Sequence, residues 1–273
     1  MKIGIIGQGF VGKAVFDKLS KHYDVLTYDI NEKLCNSSFQ IIKNTCEIIF
    51  TCVPTPMNKD GSCHIEILKK IIKKLSSKKG LIIVNKSTVV PGTTKNFNEK
   101  FKNIDVVFNP EFLTERNAKD DYENQTRIII GGPKSATTKL KMLFVKVFPS
   151  AHIIKTGSSH AEMIKYFTNS FLATKVSFAN EMHELCEILK LDYDKIVEYA
   201  ILDNRLGNSH WAVPGPDADF GFGGHCFPKD LSAIIKITED LKTTNNVLKS
   251  VKNTNDKVRK NRDWEKMKGR AIN

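Results

Sequence analysis

One thiol sits in an unusual setting: Cys226 follows Phe220-Gly-Phe-Gly-Gly-His225 and precedes Phe227-Pro-Lys-Asp230. Glycines 221, 223 and 224 let the backbone take positive φ and approach a ligand closely. Pro228 suits the first turn of a helix, which would put Cys226 at a helix N-terminus. There the macrodipole and unpaired N–H groups favour a thiolate, the form that acts as a nucleophile. A buried, inert cysteine is the alternative, and the neighbouring glycines, Lys229 and Asp230 weigh against it.

A second constellation opens the chain. The apolar run Lys2-Ile-Gly-Ile-Ile6 is followed by Gly7-Gln-Gly9-Phe10-Val11-Gly12, and Val11, Val15 and Leu19 then recur at helical spacing. In a strand, turn and helix of this kind, Gly7 makes the tight turn, Gly9 admits a pyrophosphate and Gly12 lets the helix pack on the strand. Asp29 closes the next strand, where its carboxylate would hydrogen-bond ribose hydroxyls and repel a 2′-phosphate, favouring NAD over NADP. A glycine turn in an unrelated α/β domain is the competing explanation. Three further loops concentrate hydroxyls and carboxylates after strands: Pro54-Thr55-Pro56, Lys86-Ser87-Thr88 through Thr94, and Asn109-Pro-Glu111-Phe112-Leu113-Thr-Glu115. Ordinary turn chemistry explains any one of them; three together point to a site.

The elements that must position these residues follow from periodicity. Short Ile/Val-rich runs at 47–53, 81–85, 105–108, 127–131 and 151–155 predict buried strands of a parallel sheet covered on both faces. With the helix at 65–75 they predict a Rossmann-like, doubly wound α/β domain over 1–157, whose ligands lie beyond the carboxyl ends of the strands. Residues 158–189 carry apolar positions around more than one face without Pro or Gly, predicting a long helix buried on several sides, one of them a subunit interface. Lys165 and Asn169 share one face of it; a solvated lysine is the ordinary expectation for such a position. This central helical region, 158–243, contains a short helix at 192–202 and one from the Cys226 loop to about Leu241. Residues 244–273 read as a polar, Lys-rich tail that Trp264 and Met267 could anchor and that is otherwise solvated surface.

Composition narrows the function classes. The 273 residues are 41% hydrophobic and 26% charged, an ordinary globular balance. No run approaches membrane-span length and a strand begins at once, so a cytoplasmic protein without signal peptide is expected. The six cysteines show no metal-ligand or disulfide spacing, and no metal is expected. The net charge of +12 is spread over helices without interleaved aromatics, which favours anionic small molecules over nucleic acid.

Taken together, G-Q-G-F-V-G, K-S-T, N-P-E-F-L-x-E, K-x-x-x-N on the long helix and F-G-F-G-G-H-C-F-P-K-D resemble the nucleotide-sugar dehydrogenases, the UDP-glucose/GDP-mannose dehydrogenase family, and within it the UDP-glucose 6-dehydrogenases. The resemblance runs in order from Lys2 to about Leu241. It implies a two-step, NAD-dependent oxidation of UDP-glucose to UDP-glucuronate, a polysaccharide precursor, through a cysteine thiohemiacetal and thioester. Another nucleotide sugar, GDP-mannose or a UDP-N-acetylhexosamine, and a non-catalytic NAD-binding dimeric module are the alternatives. Carried over by motif, Cys226 is the nucleophile, Lys165 and Asn169 stabilise oxyanion character, and Asp230, Thr88 and Glu115 assist water and proton transfer; which carboxylate is the base stays open. The resemblance also implies that Gly7, Gly9, Phe10, Val11, Gly12, Asp29, Lys33, Pro54, Thr55, Ser87, Thr88, Glu115 and Lys229 line the cofactor. Glu111, Phe112, Leu113, Lys165, Asn169, Phe220, Gly221, Gly223 and Gly224 would line the substrate, with Arg205 reaching across a homodimer. Members of the family ordinarily continue into a second α/β domain over the UDP moiety, so a short form with a more open site is expected. Arg116 and Asn117, where a glycine is usual, and His225 are smaller departures.

Overall fold

The computed structural model describes residues 1–114 and 117–273, which pack as two compact units: Met1–Thr55 with Ile65–Lys165, and Pro56–His64 with Tyr166–Asn273. The first unit is built on seven strands: β1 (Lys2–Ile6), β2 (Asp24–Tyr28), β3 (Ile48–Thr51), β4 (Leu81–Asn85), β5 (Ile104–Phe108), β6 (Arg127–Gly131) and β7 (His152–Thr156). They form one sheet in the order β2-β1-β3-β4-β5-β6-β7. The chain leaves β1 for β2 on one side and reaches β3 on the other, so the sheet has its topological switch point at β1 and β3.

Both faces are covered. Successive strand residues alternate between two cores: Ile3, Ile5, Ile48, Phe50, Ile82, Val84 and Val107 on one face, and Ile6, Ile49, Ile83, Val106 and Phe108 on the other. Helices α1 (Phe10–Leu19), α5 (Ala118–Glu123) and α6 (Lys134–Val147) supply Val15, Leu19, Tyr122, Leu140 and Phe144 to the first core. Helices α2 (Phe39–Thr45), α3 (Glu66–Leu75) and α4 (Thr93–Lys100) supply Ile42, Leu68, Ile72 and Phe97 to the second. This is the doubly wound α/β architecture that the periodicity predicts, with one difference. The sheet is mostly parallel rather than wholly so, because β5 meets β6 antiparallel through the pair Phe108 and Gly131. An apolar run encodes burial on both faces but carries no direction, which the connection decides.

Helix α7 (Ser158–Leu189) has the predicted bounds, 32 residues long. The second unit adds α8 (Tyr193–Ala200), α9 (Phe227–Asp240), α10 (Asn246–Val258) and a 3₁₀ turn at Asp263–Lys266. Trp264 is buried as an anchor should be, but the expectation that the rest of the tail is solvated surface is corrected: Val251, Asn255, Arg259 and Ala271 are buried too. Helix α10 lies on α7 through Ser177 Oγ, which donates to the Val251 carbonyl at 3.0 Å, and Thr254 Oγ1, which donates to Glu181 at 2.7 Å. The lysines that made this segment look exposed occupy one face only, and helical spacing leaves the other for packing. Among the described residues no helix is long and apolar enough to cross a membrane.

The tail is anchored by a buried cation. Arg259, its side chain 2% exposed, faces Asp217 at 2.7 Å, Asp263 at 3.3 Å and Asp219 at 3.5 Å, and its Nε donates to the Asn261 carbonyl at 2.8 Å. Removing the buried guanidinium would leave three partly exposed aspartates facing one another without their counter-charge, and a gap behind the loop they hold. Arg259→Ala is therefore expected to cost about 3 kcal/mol, read as a lower urea midpoint with an unchanged slope. A midpoint within error of the unaltered chain would contradict this account of the tail.

Candidate active site

In the first unit the glycine loop has the shape a dinucleotide needs. Gly7 holds φ +94°, and a Cβ on Gly12 would lie 1.9 Å from the Gly7 carbonyl oxygen, so the helix can approach the strand this closely only as glycine. Over Gly9, by contrast, a Cβ would meet nothing within 4 Å. Gly9 is also the N-cap of α1 and supplies no side chain to cap it, so the N-terminal turn carrying Phe10, Val11 and Gly12 opens onto that space. Helix N-terminus, open space and the Asp29 carboxylate together fit a dinucleotide pyrophosphate and ribose. Asp29 is held for the purpose: Gln8 N donates to Oδ2 at 2.6 Å and Asn31 N to Oδ1 at 2.9 Å. Lys33 is exposed on the short 3₁₀ turn just beyond, Glu32–Leu34.

The hydroxyl loops meet at the carboxyl ends of β3 and β4. Ser87 Oγ donates to the Val53 carbonyl at 2.6 Å and Thr55 Oγ1 to the Thr88 carbonyl at 2.7 Å. Thr55, Ser87 and Thr88 are buried, while Pro54 is exposed beside them. Two of the expected cofactor contacts thus also brace one loop against the other.

Lys165 is not a solvated lysine. It is 3% exposed, and its Nζ donates to the Glu111 carbonyl at 2.6 Å and lies 3.4 Å from Oε1 of the same residue. The Phe112 ring stacks below the ammonium at 5.3 Å, and Arg127 lies 4.6 Å from the same ring. Glu111 turns back on its own loop, its Oε2 accepting from Leu113 N at 2.7 Å. Glu111, Phe112, Leu113 and Lys165 therefore do come together. Glu115 lies outside the described residues.

Two residues without an expected role complete this half. Lys86 is buried and donates to Asn109 Oδ1 at 2.9 Å, while Asn109 Nδ2 donates to the Ile129 carbonyl at 2.8 Å, tying β4, the N-P-E loop and β6 together. Burial pushes the Lys86 ammonium down to about 8, with Lys165 adding to the effect and Cys52 and Glu111 opposing it. Glu162, on the first turns of α7, accepts from Gly92 N at 2.7 Å and Thr94 N at 2.8 Å, placing a carboxylate on the N-terminus of α4. K-S-T and N-P-E were visible as motifs, but no local signal marks Glu162, whose partners lie 70 and 68 residues away.

In the second unit Cys226 is the N-cap of α9, with Pro228 in the first turn, as the sequence predicts. Asp230 N donates to the Cys226 carbonyl at 3.0 Å. The Asp230 carboxylate, 1% exposed, accepts from Asn169 Nδ2 at 2.6 Å and is paired with Lys229. Burial disfavours the Lys229 ammonium, but Asp230, Cys226 and Cys63 outweigh it and move the lysine upward. Cys226 thus stands at a helix N-terminus with a lysine–aspartate pair in the first turn of the same helix, a setting of the kind in which thiolates are favoured. Phe220 is exposed, with its ring 5.8 Å from that of His183. Arg205 is exposed and paired with Asp203, on a stretch held by Lys175, which donates to the Leu206 carbonyl at 3.0 Å and sits 4.6 Å from the Trp211 ring.

Lys86 makes a pH signature. Its folded value, about 8, lies below that of an ordinary lysine, so between the two the unfolded chain binds more protons and stability rises with pH. From pH 8 to about 10.5 the intact chain should gain on the order of 2 kcal/mol relative to Lys86→Met. Parallel urea-unfolding curves for the two proteins would refute the assignment.

Two family models and several known proteins match the chain. Residues 34–148 match the model of the UDP-glucose/GDP-mannose dehydrogenase family, NAD binding domain, and residues 159–257 that of its central domain. The chain is 36% identical over 224 residues to the UDP-glucose 6-dehydrogenase TuaD of Bacillus subtilis, covering 78% of this chain and 47% of that protein. It is 31% identical over 286 residues to the UDP-glucose 6-dehydrogenase AglM of Haloferax volcanii, covering 86% and 65%. The solved structure of a UDP-glucose dehydrogenase from Pyrobaculum islandicum superposes with a TM-score of 0.83 at 28% identity, covering 94% of this chain and 68% of that one. The chain thus spans about half to two thirds of the length of the relatives it matches. With its NAD-binding and central domains both matched, the chain belongs to the UDP-glucose/GDP-mannose dehydrogenase family.

Proposed function

We propose that this protein oxidises UDP-glucose to UDP-glucuronate in two steps with Cys226 as the covalent nucleophile. The observation that carries the proposal is the Cys226 thiol at the N-terminus of α9, beside Lys229 and the buried Asp230 and Asn169. Bound NAD supplies the hydride acceptor, two equivalents per sugar. Loss of a hydride and a proton from the sugar CH2OH leaves an aldehyde, which the Cys226 thiolate attacks to form a thiohemiacetal after protonation of its oxygen. Loss of a second hydride, with that proton, gives a thioester, and water releases the carboxylate and returns the thiol. By the family resemblance, the Lys165 ammonium and the Asn169 amide are the groups assigned to stabilise the oxygen as charge develops on it. Asp230, Thr88 and Glu115 are assigned to holding water and moving protons, and Glu111 to Leu113, Phe220 and the 221–224 glycines to the sugar nucleotide.

We infer in addition that the chain pairs with a second copy through α7. Phe167, Phe171, Phe178 and Leu185 stand exposed along that helix, Phe167 at 69%. Contiguous apolar surface of this kind marks an interaction site. In the pair, Arg205 of one copy would reach the sugar nucleotide of the other. Reduced cysteine chemistry fits a cytoplasmic setting.

Purified protein with NAD and UDP-glucose should form two NADH per sugar, followed at 340 nm, with GDP-mannose and UDP-N-acetylmannosamine slower. Cys226→Ser should abolish repeated turnover to the uronate, and sustained uronate formation by that variant would refute the covalent route. Sedimentation should show a dimer that Phe171→Asp converts to monomer; a monomeric unaltered protein would remove the pairing proposal.

A further inference from the structure

The glycine-rich loop that precedes Cys226 is gripped from one side by the segment that the sequence marked as a solvated tail. The loop's backbone makes the contacts. Phe222 N donates to Asn255 Oδ1 at 2.7 Å, and Asn255 Nδ2 donates back to the Phe222 carbonyl at 3.0 Å, a two-way pairing of one amide side chain with one peptide residue. Gly224 N donates to both carboxylate oxygens of Asp263, at 3.2 and 3.1 Å. Gly221 N donates to Asn180 Oδ1 on α7 at 3.0 Å. Arg259 stands behind the loop, pairing with Asp263 and with Asp217 and Asp219 on the approach to it.

The glycines are glycines because of this grip. A Cβ on Gly221 would lie 2.3 Å from Asn255 Oδ1, and one on Gly223 would lie 2.2 Å from Arg259 Nη2 and 2.4 Å from Asp263 Oδ1. Side chains at 221 and 223 would displace the very groups that hold the loop. Gly224, at φ +71° with nothing within 4 Å of its would-be Cβ, instead supplies the left-handed turn into His225 and Cys226. Gly221 and Gly223 thus admit the clamp, and Gly221, at φ +67°, and Gly224 supply the left-handed turns of the loop.

We propose that Asn255 and Asp263, backed by Arg259, are positioning residues for the Cys226 thiol. They fix residues 222–224 so that Cys226 stays at the N-cap of α9, where a helix N-terminus favours the thiolate. None of the three is assigned a contact with substrate or cofactor. The inference deepens the proposed reaction by assigning the tail to the nucleophile's geometry, and it rests on that reading only for the thiol's purpose. A thiol set in this way reacts with alkylating reagents whether or not a sugar nucleotide is present.

The test is the pH profile of iodoacetamide alkylation of the whole ligand-free protein, followed at each cysteine by peptide mass spectrometry, with Cys35 of the first unit as internal control. In Asn255→Ala and Asp263→Asn, the pH of half-maximal alkylation at Cys226 should rise by about one unit as the thiol leaves the helix N-terminus, with the Cys35 profile unmoved. General loosening would instead accelerate alkylation at the buried Cys46 and Cys186. An unchanged Cys226 profile in either folded variant would overturn the proposal; Asp263→Asn, at a partly exposed carboxylate, keeps the test available if Asn255→Ala fails to fold. An unaltered protein that forms no NADH from any nucleotide sugar would sink the proposed reaction while leaving this outcome readable.

Discussion

A buried ammonium has to be met by oxygen, and much of the first unit's functional edge follows from how Lys165 meets that demand. Its Nζ takes the carbonyl and carboxylate of Glu111, which fixes the N-P-E loop where β5 ends. Glu111 in turn caps Leu113 N, and Phe112 lies against the lysine, so the loop has little freedom left. Lys86 repeats the device from β4 through Asn109. Leaving either ammonium without these oxygens would cost more than the pairing itself contributes, which is why the arrangement fixes loop position more than it adds stability.

The second unit obeys the same rule around carboxylates and a guanidinium. Asp230 lies between the Asn169 amide and the Lys229 ammonium, and Arg259 lies among three aspartates. Asp230 and Arg259 are themselves buried, their charged partners reach toward the surface, and each sits beside backbone near the thiol: Asp230 one turn into α9, Arg259 against the loop that leads to it. Because desolvated charges hold geometry tightly, such a scaffold suits a nucleophile whose reactivity depends on where its sulfur sits relative to a helix end.

Much of this was legible before any fold was known. The bounds of α7, the strands at 81–85 and 127–131 and the glycine turn into α1 follow from periodicity and from residues with few conformational options. Cys226 at a helix N-terminus follows from Pro228 and the glycines before it. The antiparallel meeting of β5 and β6 was not legible, since alternation reports burial and not direction. Nor was the packing of 244–273, where lysines on one face of α10 concealed Val251 and Asn255 on the other and Arg259 just past its end.

By itself, then, the chain determined its elements and its inventory of reactive groups, because both depend on neighbours a few residues away. Only the tertiary structure decided the partners: Glu162 with the α4 N-terminus 70 residues earlier, Asn255 with Phe222 33 residues earlier, Lys86 with Asn109 23 residues later. A buried polar group takes whichever partner packing brings within about 3 Å, and that neighbour is set by the docking of helices and loops rather than by spacing along the chain.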